Sequence, residues 1–202
     1  MKKISVFDLI APIYGLFYER QIRQFQKVID RLSAEIDISV GKTAVDVGCG
    51  TGALCSVLSD RGLTVSGADP SNVMLKVAER KKGSRSIAFT RANALERMPF
   101  EDISFDLTFT SYVLHGLKEA DRKTMYAELG RITKGYIIIH DYNEKRALHT
   151  TLIEWLEGGD YFGFIKHAPE EIGRAFSEVR TVMVGPRAVC YICKPHDTLQ
   201  SE

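Results

Sequence analysis

Ala44-Val45-Asp46-Val47-Gly48-Cys49-Gly50-Thr51-Gly52 decides the fold. It is a short apolar strand running into three glycines at alternate positions. Ala53-Leu54-Cys55-Ser56-Val57-Leu58 follows and reads as a helix. Glycine has no Cβ, so backbone in such a turn lets a ligand approach closely. The helix behind the turn offers the N–H groups that its first residues leave unpaired. The stretch therefore predicts a β-turn-α unit built to hold a ligand.

The glycine spacing narrows the choice. The dinucleotide fingerprint is G-x-G-x-x-G, whose third glycine lets helix and strand pack closely. Here the third glycine comes one residue early, and Asp46 stands two residues before the first. Both features weigh against NAD. With its motif Val45-Asp46-Val47-Gly48-Cys49-Gly50-Thr51-Gly52, the chain resembles the class I S-adenosylmethionine-dependent methyltransferases. The resemblance implies S-adenosylmethionine as the cofactor. An NAD-dependent oxidoreductase is the competing reading.

The 202 residues suffice for one domain with a full core. A net charge of +1 gives no electrostatic case for nucleic acid or an anionic membrane. No apolar run reaches the roughly 20 residues of a membrane span. The opening Met1-Lys2-Lys3-Ile4-Ser5 leads to Asp8 and Pro12, without the apolar core or cleavage site of a signal peptide. A cytoplasmic protein is expected. The four cysteines agree with that compartment. Cys190 and Cys193 have C-x-x-C spacing, but lie in an apparent strand with no second pair near in sequence. They are expected as buried thiols rather than a zinc or redox pair.

Working outward, Ile13, Phe17, Tyr18, Ile22, Phe25, Val28, Ile29 and Leu32 fall three or four apart and predict one helix face. Strands are expected over 43–47, 63–68, 86–90, 105–110 and 135–140. Ser71 is suited to cap a helix through Arg80, and Asp121 to cap one reaching Ile132. Gly135 to His140 is nearly all apolar, as in a strand buried on both faces. The alternation predicts an α/β fold with a doubly wound, mainly parallel sheet. Residues 179–184 and 188–192 flank Gly185-Pro186-Arg187, which signals a hairpin and hence one antiparallel strand. A seven-stranded sheet with an antiparallel last strand is what the resemblance implies, extending it over about residues 40–194. The expected organisation is a methyltransferase domain over 1–194, with an N-terminal lid helix over 1–36. A substrate-cover insertion is expected over 143–176 and a frayed tail over 195–202.

Ligands in such sheets bind at the carboxyl ends of the strands. The resemblance places the backbone of Gly48, Cys49 and Gly50 along the amino-acid tail of the cofactor. It gives Asp46 the ammonium, directly or through water. Asp69 closes the second strand 17 residues after Gly52 and would accept from both ribose hydroxyls. Pro70 and Ser71 follow, and Met74 would cover an adenine face. Asn93 and Ala94 match the adenine-binding element, with Asn where many relatives carry Asp; its carbonyl still accepts. Ser111 and Tyr112 would lie near the methyl group. Taken singly, Asp46, Asp69 and the glycines also fit plain turn chemistry.

Methyl transfer from a sulfonium needs alignment first, and a base only where the acceptor must lose a proton. His115 lies just after the fourth strand, where relatives often carry histidine. Asp141, behind His140, ends the fifth. Each also has a structural reading, as a packed imidazole or a turn carboxylate. Phe7-Asp8 through Tyr14 resembles the opening of the ubiquinone/menaquinone-type C-methyltransferases and their small-molecule relatives, which implies that Tyr14 closes over the methyl group. A metal site is rejected: Ser111 and Asp141-Tyr142-Asn143 do not supply the oxygens a hard cation needs. No Asn/Asp-Pro-Pro-aromatic run marks a nucleic-acid methyltransferase. The expected partner is a small-molecule methyl acceptor, with no nucleic acid and no membrane. A relative that binds the cofactor without turnover stays open.

Overall fold

The computed structural model describes residues 17–39, 41–143 and 160–196. They fall into two compact units, one ending at Asn93 and the other starting at Ala94.

The first unit contains helix α1 (Tyr18–Leu32), strand β1 (Thr43–Val47), helix α2 (Ala53–Asp60), strand β2 (Thr64–Asp69), helix α3 (Asn72–Lys81) and strand β3 (Ile87–Arg91). On α1 the three-and-four spacing puts Tyr18, Val28, Ile29 and Leu32 in the core. All of Ala53–Leu58 is buried, so α2 is an interior helix. Ser71 caps α3, its hydroxyl accepting the Met74 N–H at 3.2 Å. β1 pairs parallel with β2 from Thr43↔Thr64 to Val47↔Ala68, and β2 pairs parallel with β3 from Val65↔Ile87 to Asp69↔Arg91.

The second unit contains strand β4 (Phe105–Ser111), a 3-10 turn (Leu114–Gly116), helix α4 (Glu119–Ile132) and strand β5 (Thr133–Tyr142). Helix α5 (Tyr161–Ala175) and strands β6 (Glu178–Met183) and β7 (Ala188–Lys194) complete it. β4 and β5 are parallel, with Ser111 opposite His140. β7 runs antiparallel to both β5 and β6. The strand order is β3-β2-β1-β4-β5-β7-β6. This is the mainly parallel seven-stranded sheet with an antiparallel hairpin strand that the sequence predicts.

Most element bounds shift by one or two residues, as at β2 and β3, and the starts of α4 and β5 shift for identifiable reasons. α4 begins at Glu119, so Asp121 lies in its first turn and the extended Lys118 occupies the cap position. The acidic side chains there still complement the helix N-terminus. β5 begins at Thr133 rather than Gly135, directly after α4, with Thr133 Oγ1 bonded to Leu129 O and to Thr108 Oγ1, each at 2.6 Å. Gly135 thus lies inside the strand, at a position that needs glycine because a Cβ would stand 2.3 Å from Asp106 O. The N-terminal helix is described only from residue 17. Of the expected cover over 143–176, residues 144–159 lie outside the described residues, and most of the remainder is α5.

Candidate functional site

In the first unit, the chain leaves β1 and turns at once. The N–H groups of Gly48 and Cys49 both bond Ala68 O, at 2.8 and 3.0 Å, which anchors the turn to β2. Gly50 has φ +51°, and a Cβ there would meet nothing within 4 Å. Gly52 has φ +73°, and a Cβ there would meet Phe89 Cζ at 2.8 Å and Ala78 Cβ at 3.0 Å. One glycine therefore borders open space and the other packs tightly. The sequence puts them two residues apart without telling them apart.

Asp69 closes β2 and braces this turn. Its Oδ2 accepts the Gly50 N–H at 2.9 Å, and its Oδ1 accepts the Ser71 N–H at 2.8 Å. Asp46, within β1, is 2% exposed. The Cys55 thiol donates to its Oδ2 at 3.8 Å, while Oδ1 is buried with no hydrogen-bond partner. Burial, and then the negative charge of Asp69, push the Asp46 carboxyl up to about 7. Pro70 is exposed, Asn93 is half-buried, and Met74 is buried in the inner face of α3.

The second unit holds the other expected residues. β4 ends at Ser111, whose hydroxyl oxygen is buried without a hydrogen-bond partner. Tyr112 takes φ +56°, a left-handed conformation uncommon for a residue with a side chain and often found at functional sites. Its N–H still bonds His140 O at 2.9 Å. In the 3-10 turn that follows, His115 Nδ1 lies 2.8 Å from Asp141 Oδ1. Asp141 is 1% exposed and also accepts the N–H of Tyr142 at 2.8 Å. Asp141 thus both pairs with the His115 imidazole and braces the backbone at the end of β5. His140 and Asp141 are consecutive on β5 and so point to opposite faces, which leaves only Asp141 on the His115 side. Burial holds the His140 imidazole down to about 4, so it is neutral at neutral pH.

Aromatic rings gather beside the dyad. Tyr142 stands 4.9 Å from both Tyr112 and His115, and Tyr161 on α5 stands 5.6 Å from Tyr142 and 6.0 Å from His115, centroid to centroid. Ala94 is half-buried at the start of this unit. Tyr14 lies outside the described residues. Cys190 and Cys193 are free and buried, and burial pushes the Cys193 thiol up to about 12.

A family model for a methyltransferase domain matches residues 45–139, from the glycine turn through β5. The match supports a class I S-adenosylmethionine-dependent methyltransferase. The chain is 29% identical over 156 residues to an uncharacterized methyltransferase of Geobacillus thermodenitrificans, covering 74% of this chain and 72% of that one. It is 30% identical over 145 residues to a demethylmenaquinone methyltransferase of Paenarthrobacter aurescens, covering 69% of this chain but only 54% of that one. The crystal structure of a SAM dependent methyltransferase from Aquifex aeolicus has the same fold, with a TM-score of 0.66 at 21% identity over 81% of this chain and 87% of that one. The cofactor of this methyltransferase is S-adenosylmethionine, and the dinucleotide alternative falls.

One network in this methyltransferase had no sequence signal. Arg122 on α4 is 1% exposed and meets Glu171 on α5 through two parallel bonds of 2.7 Å. It also donates to Leu117 O at 2.6 Å and to Asp160 at 3.2 Å. The pairing holds the helix that carries Tyr161 against the segment that carries His115. Arg122 and Glu171 are 49 residues apart, and neither belongs to a motif.

Proposed function

We propose that this methyltransferase transfers a methyl group in line to a small organic acceptor, with His115 as the base where the acceptor must lose a proton. The observation that carries the reading is the 2.8 Å pairing of His115 Nδ1 with Asp141 Oδ1. A hydrogen on Nδ1 donating to the carboxylate leaves the imidazole lone pair on Nε2. Asp141 then fixes the ring and stabilises the imidazolium formed when Nε2 takes the acceptor's proton. The Tyr112, Tyr142 and Tyr161 rings near the dyad support an acceptor with a flat or apolar body. The relatives named demethylmenaquinone methyltransferase support the same reading.

The first unit fits the cofactor on two observations. The buried, unpartnered Oδ1 of Asp46 is an acceptor with nothing of the chain's own to accept from, which suits an ammonium. The open space over Gly50 admits a ligand against the backbone. Gly48, Cys49 and Gly50 would carry the amino-acid tail and Asp69 the ribose hydroxyls. Pro70, Ser71, Met74, Asn93 and Ala94 would serve the adenine side, and Ser111 and Tyr112 the region near the methyl group. S-adenosylmethionine supplies a methyl on a sulfonium whose C–S electron pair departs with sulfur. The chain's own contribution is alignment, exclusion of water and, at His115 Nε2, acceptance of a proton.

The test is methyl transfer from labelled S-adenosylmethionine to a panel of quinol, phenol and amine acceptors, wild type against His115→Ala. Turnover of one class that falls with the variant supports the reading. Cofactor binding without turnover of any class would leave a binding-only relative.

A further inference from the structure

We propose that the side-chain amide of Gln21 is the donor that receives the carboxylate of the cofactor's amino-acid tail. This rests on the identity of the cofactor and is independent of the base assigned to His115. Thr51, in the glycine turn and 4% exposed, donates its hydroxyl to Gln21 Oε1 at 2.9 Å. With its oxygen so engaged, the amide is oriented, and its Nε2 is the end left to donate. That nitrogen is one covalent angle away from an oxygen already bonded to the turn.

α1 is held firmly enough to place it. Tyr18, 4% exposed, shares a 2.7 Å hydrogen bond with Ser56 on α2 and donates to Lys81 O at 3.3 Å. Tyr18 and Gln21 are three residues apart on α1 and so share a face. One residue fixes the helix to the element behind the turn, and the other reaches the turn itself.

Charge decides which end of the ligand Gln21 meets. The strand side of the turn carries two carboxyl groups, Asp46 and Asp69, close enough that the charge of one raises the other. A zwitterionic tail lays its ammonium toward them and is repelled at its carboxylate. The carboxylate therefore needs neutral or positive donors elsewhere along the turn. Gln21 offers an N–H₂ there, its amide held at Thr51, which directly precedes the Gly52 that caps α2. Nothing in the sequence marks Gln21, which lies 30 residues from Thr51 on an otherwise ordinary amphipathic helix.

The test is calorimetric binding of S-adenosylhomocysteine and of its decarboxylated analogue to wild type, Gln21→Ala and Gln21→Glu, with unfolding midpoints recorded for each. The expected result is about 10-fold weaker binding of S-adenosylhomocysteine to Gln21→Ala. Gln21→Glu should lose more, because it sets a charge against the carboxylate. The analogue, lacking the carboxylate, should bind wild type and Gln21→Ala alike. Equal losses for both ligands would show that Gln21 only supports the turn and would overturn the proposal, as would no loss for either. Failure of wild type to bind S-adenosylhomocysteine would instead overturn the cofactor assignment.

Discussion

His115 and Asp141 are joined twice: Nδ1 lies 2.8 Å from Oδ1, and the His115 backbone N–H lies 3.4 Å from Oδ2. Ring and main chain are thus both referred to one buried carboxylate on β5. If the imidazole is the base, His115→Ala should lower kcat about 100-fold or more while leaving the dissociation constant for S-adenosylhomocysteine nearly unchanged. Asp141→Asn should lower kcat as well, because an amide N–H₂ facing Nδ1 favours the wrong tautomer. Steady-state rates with an accepted substrate decide it. Unchanged kcat in both variants would remove the base from the mechanism.

Asp69 holds two backbone N–H groups as well as its proposed ribose contacts. Asp69→Ala should therefore weaken S-adenosylhomocysteine binding by about 10- to 100-fold, the range for a hydrogen bond to a charged group. Asp69→Asn retains one acceptor oxygen and should fall between. Titration calorimetry on the folded variants checks the order; equal affinities would mean that the carboxylate only braces Gly50 and Ser71.

The Asp46 carboxyl titrates near 7 in the native state, above its ordinary value near 4. Native protein then holds a proton that unfolded chain has released, so stability falls as pH rises from about 4 to about 7. Asp46→Asn should flatten that decline in urea-unfolding free energy. An ammonium against Asp46 favours the charged form, so S-adenosylhomocysteine binding at pH 6 should release protons. The binding heat would then vary with the ionisation enthalpy of the buffer. A buffer-independent heat would place the ammonium elsewhere.

The two glycines of the turn should part company. Gly52→Ala forces a Cβ to 2.8 Å from Phe89 at positive φ and should cost about 3 kcal/mol of stability. Gly50→Ala meets no neighbour, so its cost should be about 1 kcal/mol, from conformation alone. Its effect should fall on cofactor affinity instead. Denaturant midpoints and binding constants for the pair separate the two roles.

Glu171→Ala leaves Arg122 buried with only Asp160 and Leu117 O as partners. Removing one side of a buried ion pair costs about 3–5 kcal/mol, and the remaining contacts favour the lower end. Glu171→Gln, which keeps two acceptor or donor positions, should lose less. Thermal unfolding compares them, and a shift of under 1 °C for Glu171→Ala would make the network ornamental.

The elements that were legible in the sequence are those whose signal is local. Alternate glycines after an apolar strand, a serine before α3 and Gly-Pro between two β-rich runs each constrain a few adjacent backbone dihedrals. Those constraints are written in neighbouring residues. Asp46, Asp69, His115 and Asp141 are candidates because they sit at fixed offsets from such signals. Their partners were not. The open space at Gly50 against the closed one at Gly52 depends on Phe89, some 40 residues along the chain. Gln21 reaches Thr51, Arg122 reaches Glu171, and Tyr161 reaches Tyr142 only through packing. Burial moves Asp46 up and His140 down, and burial is a property of the whole core. The sequence by itself determined the order of strands and helices and the glycine turn after β1. The tertiary structure decided which side chains share a field or a hydrogen bond, because those energies fall off over a few ångströms of space, whatever the separation along the chain.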